Sequence, residues 1–582
     1  MKLGAAPLVL SLALVGGCRQ DNNRPPAPKP GAPAESPNGQ APVEWFTDRA
    51  AESGLNFVHY NGASGHFYYP EILGPGVALF DYDNDGDLDV FVPQGRALGN
   101  DAPAPPAAAL PLRGRLFRND LQINPDGTRS LHFADVTEQS GIRATGYGLG
   151  VAAGDIDNDG WIDLYLLNFG ANQMWHNNGN GTFTDVTKES GTDNRPDFGV
   201  SAAFLDYDRD GWLDLYVGNN VHYSLDNRTA CPNTAGAPDY CPPQIYGGRP
   251  DRLYRNVGHG KFVEVTAKAL PRVKFGPALG VSTADFNGDG WIDIFVANDG
   301  EDDLLFINQK DGTFKEIGLA AGVAVTGEGK AEASMGVDAG DFDNDGDDDL
   351  IMTELTSQGF NLYQNDGHAM FKDISAQSGL SAFSLPYTGW GTGWFDFDND
   401  GWLDTMAVNG TIVMREGAAN RQFPYDQKKV LLKNLGTGRF EQVTNQAGRA
   451  FELSESGRGA AFGDVDNDGD IDVVVANDAG PLRLLQNNIG SKHHWMGMQL
   501  VGANKHDALG ARVRITRAGR TFVRRVRMDG SYGSVNDSRL IVGLGTSDEL
   551  PRVDIEWPDG REEHWLEPRV DGWSILNEGS LR

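Results

Sequence analysis

One nine-residue pattern, Asp-x-(Asp/Asn)-x-Asp-Gly-x-x-Asp, occurs seven times in this 582-residue chain, starting at Asp81, Asp155, Asp206, Asp285, Asp341, Asp396 and Asp464. The copies lie 51 to 79 residues apart, which is the length of one supersecondary unit, so the chain is a repeat array. A run opening with glycine precedes the loops (GVALF, GVAAG, GVSTA, GVDAG), and a β-branched or aromatic run follows (LDVFV, IDLYLL, LDLYV, IDIFVAN). Such runs of about five residues read as strands, so each acidic loop joins two strands.

A second element follows each loop, as in MWHNNGNGTFTDVTKESG, RLYRNVGHGKFVEVTAKA and LLKNLGTGRFEQVTNQAG. Its Asn-Gly and Asp-Gly pairs mark hairpin turns, which brings each unit to about four strands, one blade of a β-propeller. The phenylalanine-to-glycine half of this element also occurs early, from Phe46 to Gly54, and is missing after the last loop, where LRLLQNN runs into different sequence. Counting it gives seven of each element. The expected fold is therefore all-β: a seven-bladed propeller over residues 44–490, with the N-terminal strand closing the last blade, and a small β domain over 491–582. Closure removes the exposed edge strands that an open solenoid would leave.

Alternate positions of a tight turn converge on one point, so oxygens at positions 1, 3, 5 and 9 can surround a hard cation, with a carbonyl near position 7 and glycine at position 6 for the bend. Those residues are Asp81, Asp83, Asp85 and Asp89 in the first loop, and Asp155, Asp157, Asp159 and Asp163 in the second. They are Asp206, Asp208, Asp210 and Asp214 in the third, and Asp285, Asn287, Asp289 and Asp293 in the fourth. The fifth has Asp341, Asp343, Asp345 and Asp349; the sixth has Asp396, Asp398, Asp400 and Asp404. The seventh has Asp464, Asp466, Asp468 and Asp472. An EF-hand shares the first six positions but needs a bidentate glutamate at position 12. Here that position is Val92, Leu166, Val217, Val296, Met352, Ala407 or Val475, all in strands, so EF-hands are excluded.

Four carboxylates in one turn repel strongly without a counter-ion. The seven loops hold 31 of the chain's 81 acidic residues, and up to seven calcium ions would cancel nearly half of the formal charge of −32. The fourth loop, with Asn287, is expected to be the weakest. Magnesium fits less well, because it prefers a stricter octahedron that keeps water. The net negative charge also argues against nucleic acid as a partner.

Lys2, an apolar run from Leu3 to Val15 and Gly16-Gly17-Cys18 describe an export signal too short to anchor as a membrane span. Small residues before Cys18 resemble a bacterial lipobox, which implies lipidation at Cys18 and a membrane-anchored protein of the cell envelope. Residues 19–43 are proline-rich and read as a tether. Cys231 and Cys241, ten apart in a loop rich in Pro, Asn and Gly, are expected to pair in an oxidising compartment, since the loop lacks the further ligands of a zinc site.

From about His494 the composition turns nearly neutral and reads as short strands. Arginines at 512, 514, 517, 520, 524, 525 and 527 lie on two of them and are expected to form a solvated face; an anionic glycan or lipid surface is the sharper alternative.

The acidic loops resemble the FG-GAP/VCBS repeats of integrin α-subunit propellers. The tail, through HHWMGMQLVG, DALGARVRI, GSYGSVNDSRLIVGLG and VDIEWPDGR, resembles the ASPIC/UnbV domain. The combination, together with HYNGASGHFYYPEILGPGVALFDYDNDGD and YCPPQIYGGRPDRLYRN, resembles the cartilage acidic protein family and its bacterial relatives. The resemblance implies a secreted calcium-binding adhesion or matrix-like module. No nucleophile elbow, zinc-protease, phosphate-loop or dinucleotide motif occurs. The leading expectation is thus a surface binding module for protein or glycan partners. An enzyme or enzyme accessory, with His59 and His66 as the residues to test, is the alternative. His59, His66, Phe67, Tyr68 and Tyr69 form the most interesting cluster outside the loops, with local packing as its plainer reading; His493-His494-Trp495 is expected to be structural.

Overall fold

The computed structural model describes residues 43–580 apart from 227–228, 230, 234–235, 414–424 and 507. The predicted leader, Cys18 and all but the last residue of the tether lie outside the described residues.

Seven four-stranded antiparallel sheets form the body of the molecule. Their innermost strands are Ala78–Phe80, Tyr147–Gly154, Gly199–Leu205, Ala278–Ala284, Val337–Gly340, Gly389–Phe395 and Gly457–Gly463. Each packs against the innermost strand of the next blade, and the seventh packs against the first, so the ring is closed. The blades are numbered here by their acidic loops, from Asp81 in blade 1 to Asp464 in blade 7. Blade 7 draws its outer strand, Phe46–Asp48, from the other end of the chain, with Phe46 opposite Asn487 and Asp48 opposite Leu485. Asp48 also takes a hydrogen bond from Arg483 at 2.7 Å, which fixes that register.

The Asp-Val-Thr segment after the outer strand does local work. The Thr137 hydroxyl accepts the Leu116 N–H (3.0 Å) and donates to Asp135 (2.7 Å), pinning a single helical turn, Thr137–Ser140, onto the third strand. Thr187 and Ser375 repeat the arrangement in blades 2 and 5.

Because strands alternate in direction, the acidic loops between first and second strands share one end of the propeller. The links between second and third strands share the other end. The long links run from Val92 to Arg115 in blade 1, from Asn219 to Arg252 in blade 3 and from Asn409 to Val430 in blade 6. Residues 55–77, leading into blade 1, arrive at the same end. Cys231 and Cys241 are joined as a disulfide within the blade 3 link.

The C-terminal residues build two further sheets. One holds Leu540–Gly545, His494–Val501 and Trp573–Asn577, and the other Arg520–Arg525, Arg512–Arg517, Arg552–Glu556 and Glu562–Trp565. Val513, Ile515, Val542, Val553 and Trp557 are buried in their core.

The segment after Arg525 leaves these sheets and fills the propeller's central channel, meeting every blade. Val535 accepts from Leu79 (3.0 Å) and donates to Val77 in blade 1 (2.9 Å). Gly533 accepts from Val151 in blade 2 (3.0 Å) and donates to the Ser201 hydroxyl in blade 3 (2.9 Å). Thr283 of blade 4 donates to Asp529, Val337 of blade 5 donates to the Ser531 carbonyl, and Phe462 of blade 7 donates to Asn536. Tyr532 stacks edge-on against Trp390 of blade 6 with ring centroids 4.9 Å apart, and its hydroxyl reaches the Leu73 carbonyl at 2.8 Å. The fit requires glycine at two points. A Cβ on Gly76 would come within 1.8 Å of the Gly533 carbonyl oxygen, and Gly533 itself sits at φ +52°.

The solvated arginine face expected from the sequence is not what forms. Arg517 and Arg524 are buried. Arg525 pairs with Asp348 at 3.0 Å and Arg527 with Asp338, both on blade 5. The alternation that looked like a solvent-facing strand instead presents its basic side to the acidic end of the propeller.

Candidate metal centres

All seven acidic loops fold alike, and their own backbone explains the pattern of residues. In the first, Asp81 accepts the N–H groups of Asp85 (3.2 Å) and Gly86 (2.9 Å), and Asp85 accepts that of Asp87 (3.0 Å). Position 4 is left-handed in every loop: Asn84, Asn158, Arg209, Gly288, Asn344, Asn399 and Asn467 have φ between 54° and 69°. That backbone favours asparagine or glycine, so Arg209 is the exception. Position 9 is the deepest: Asp89, Asp163, Asp214, Asp293, Asp349, Asp404 and Asp472 are fully buried. Each first serves the backbone, as Asp89 does by accepting from Tyr82 (2.9 Å) and Asn119 (2.8 Å).

Position 3 differs. One carboxylate oxygen of Asp83, Asp157, Asp208, Asp343, Asp398 and Asp466 is buried with no hydrogen-bond partner. A buried anionic oxygen without a donor is costly, and a cation at the loop centre is what would satisfy it. In the fourth loop Asn287 leaves no such oxygen, because it accepts from Asp289 N–H at 3.0 Å and donates to the Asp289 carboxylate at 3.1 Å.

Carboxylate oxygens of Asp81, Asp83 and Asp85, of Asp155, Asp157 and Asp163, of Asp206, Asp208 and Asp210, and of Asp341, Asp343 and Asp349 converge within 4.8 Å of one another. Burial, then repulsion from the carboxylates beside them, pushes Asp81 and Asp206 up to about 6. The donors, all hard oxygens, suit calcium.

Two hydrogen-bond rings missed in the sequence tie these loops together. In every blade the last asparagine of the third strand (Asn119, Asn177, Asn256, Asn308, Asn365, Asn434, Asn487) donates to the position-2 carbonyl of the preceding blade's loop, at 2.8 to 2.9 Å. The ring closes where Asn119 of blade 1 reaches Val465 of blade 7. Its sequence signal was the asparagine two residues before a turn in each copy, read there only as turn chemistry.

The second ring runs from position 4 to the glycine carbonyl of the next loop: Asn84 to Gly160, Asn158 to Gly211, Arg209 to Gly290, Asn344 to Gly401, Asn399 to Gly469, Asn467 to Gly86. Gly288 has no side chain to donate, and Arg512 of the C-terminal sheets supplies the missing bond to Gly346.

The C-terminal sheets cover this end of the propeller. Arg539 donates to the carbonyls of Gly86 (3.0 Å) and Asp464 (2.9 Å) and to Asn467, and Gly545 donates to the Asn399 carbonyl (2.8 Å). Asp341, Asp396 and Asp464 line an interdomain cavity of about 130 Å³ opposite Arg524, Arg525 and Arg527. His493 and His494 hold the junction through the Asp398 carbonyl and Asp571.

The opposite mouth has a different chemistry. Phe67 meets Tyr240 and Tyr240 meets Tyr425, with centroids 5.3 and 6.1 Å apart. Tyr69, Tyr223 and Tyr246 form a second aromatic group. Glu71 is buried among them and accepts from the Tyr240 hydroxyl at 2.9 Å; burial pushes its carboxyl up to about 7. His59, Tyr68 and Tyr69 are buried in local packing and His66 is exposed beside Asp101. The blade 6 link, with Tyr425, was overlooked in the sequence, although the wide gap between its acidic loop and its next third strand marks an insertion.

A closed seven-bladed propeller, stitched at one end by acidic Asp-x-Asp-x-Asp-Gly loops, is the class of protein this geometry defines. Residues 155–217, 244–296, 285–352, 341–407 and 422–489 match the FG-GAP-like repeat model, and residues 501–580 match that of ASPIC and UnbV. The repeat matches span half of the chain, which belongs to the FG-GAP-like repeat family and carries a C-terminal ASPIC and UnbV domain. Human cartilage acidic protein 1 is 27% identical over 519 residues, covering 84% of this chain and 70% of its own length. The mouse protein of the same name is 27% identical over 518 residues, covering 84% and 71%. Among solved structures, BBS1N in complex with ARL6DN aligns over 71% of this chain and 92% of its own at 8% identity and a TM-score of 0.38. A lectin of Agrocybe aegerita aligns over 59% and 83% at 17% identity and 0.33. At those scores neither carries weight, and the fold rests on the strand pairing described above.

Proposed function

We propose that this protein is an exported, lipid-anchored and calcium-stabilised binding module whose partner, a protein or a glycan, meets the mouth opposite the acidic loops. The observation that carries this reading is the covering of the loop end by the chain's own ASPIC and UnbV domain, with residues 529–536 filling the channel. Calcium at the loops then acts inside the molecule, as a structural staple, and the long links at the other end are left to face a partner. Those links and the segment before blade 1 bring together the half-buried aromatic rings of Phe67, Tyr240 and Tyr425, and the Tyr425 hydroxyl donates to Asp239. Aromatic faces with hydroxyl edges suit both sugar rings and protein side chains. The relationship to cartilage acidic protein 1 supports an extracellular setting.

Binding to glycan arrays and to cell-surface extracts in millimolar calcium tests the reading, with the Tyr240→Ala and Tyr425→Ala variants beside the wild type. Binding that falls at least tenfold in those variants and is unchanged in Arg520→Ala, at the other end, is expected. Binding lost in Arg520→Ala and kept in both tyrosine variants would place the partner on the C-terminal domain instead.

A further inference from the structure

The seven loops differ in the side chain that overhangs them. The residue before each third-strand asparagine changes from blade to blade: Arg118, His176, Arg255, Ile307, Gln364, Lys433 and Gln486, of which those in blades 2, 3, 5, 6 and 7 reach the position-3 carboxylate. In blades 5 and 7 it is a neutral amide, with Gln364 donating to Asp343 and Gln486 to Asp466, both at 2.6 Å. In blade 3 it is a fixed cation: Arg255 pairs with Asp208 at 2.5 Å and with Asp210 at 2.8 Å. Blade 6 is the same in kind, since Lys433 pairs with both Asp398 and Asp400.

We infer that the loops of blades 3 and 6 are neutralised by the chain's own Arg255 and Lys433 and do not take calcium at extracellular concentrations. This rests on the proposal that the loops bind calcium at all. The guanidinium or ammonium sits on the Oδ2 atoms of positions 3 and 5, leaves Oδ1 of Asp208 and Asp398 without a donor, and repels a second cation at that distance. Calcium affinity in such loops is set by ligand charge, and a cation in the shell removes one unit of it.

The other loops sort by the same rule. Blade 4 lacks the free oxygen at position 3, and Lys310 lies 3.2 Å from its Asp289, so it too is closed. In blade 1 the overhanging Arg118 pairs with Asp120 at 2.7 Å, outside the loop. In blade 2, a His176 ring nitrogen lies 3.1 Å from Asp163 and 3.6 Å from Asp157 and converges with Asp157 and Asp159 within 4.8 Å, so the residue there is itself of a metal-ligating type. The loops of blades 1, 2, 5 and 7 are therefore the ones that hold calcium, about four ions per chain.

The test is the number of calcium ions bound to the full-length protein, by equilibrium dialysis at millimolar free calcium with elemental analysis of the protein compartment. The wild type is expected to hold about four equivalents. Arg255→Gln and Lys433→Gln, which copy the residue found in blades 5 and 7, each add one. The reciprocal Gln486→Arg removes one, so the inference stays testable if one of the first pair misfolds. A wild-type count of seven, or counts that do not change in these variants, overturns the inference and leaves calcium binding intact. No calcium in any variant overturns both.

Discussion

The two ends of the propeller are built on opposite plans. At one end, seven copies of one loop make nearly identical turns that are bound from within the molecule: by asparagine rings on their carbonyls, by Arg512 completing a ring where Gly288 cannot, and by the ion pair of Arg525 with Asp348. At the other end no two links are alike, and tyrosines gather around a buried glutamate. On the proposed reading, repetition goes with structure here and irregularity with recognition. A face that must fit a ring of seven equivalent neighbours has little freedom to fit anything else.

That contrast can be broken in several places. The largest effect is expected from calcium removal. Each site at ten times its Kd stabilises by about 1.4 kcal/mol, so several sites together shift the melting temperature well beyond what single side chains do. Calorimetry in calcium and in a chelator measures it; superposable melting curves would remove the metal from the account. Next comes Arg527→Ala, which strands Asp338 and Asp529 in the interior at an expected cost of about 3–5 kcal/mol. Lys330→Ala, whose partner Glu328 is likewise exposed, is expected to leave stability close to that of wild type. Equal losses in these two would mean that the docked domain contributes little.

Asn365→Ala removes one link of the asparagine ring, takes the Asn365 donor from the Asp348 carbonyl and leaves the Phe286 carbonyl with the Ala369 N–H alone, at about 1–3 kcal/mol by chemical denaturation. A pH-dependent effect lies at the other mouth. Burial raises Glu71 from 4.5 to about 7, so the folded protein holds a proton there that the unfolded chain gives up. Its contribution is greatest below pH 4.5 and declines as pH rises towards 7, by at most about 1.4 kcal/mol per pH unit. With calcium saturating, Glu71→Gln should flatten that decline; an unchanged pH profile would show that Glu71 keeps its ordinary value.

The propeller was legible in the sequence because a period of two and a repeated loop leave few alternatives. The half-unit at Phe46 also indicated how the ring closes, and Phe46 pairs with Asn487 in the last blade. Three things were not legible, and for one physical reason. The arginines of 512–527, the asparagine ring and the plug at Tyr532 satisfy partners from 79 to 459 residues away. Local alternation reports which side a residue faces, and says nothing of whether water or another domain waits there. Arginine on a strand edge is read as solvated by default. Here seven acidic loops supplied a second destination.

Hydrogen exchange at residues 526–537 tests most directly whether the loops, their ions and the C-terminal domain form one unit. With calcium bound, the amides of Gly533 and Val535 are expected to be as protected as the innermost strands beside them, and to lose protection together with those strands when calcium is chelated. Rapid exchange of this segment in saturating calcium, while the strands stay protected, would contradict the account.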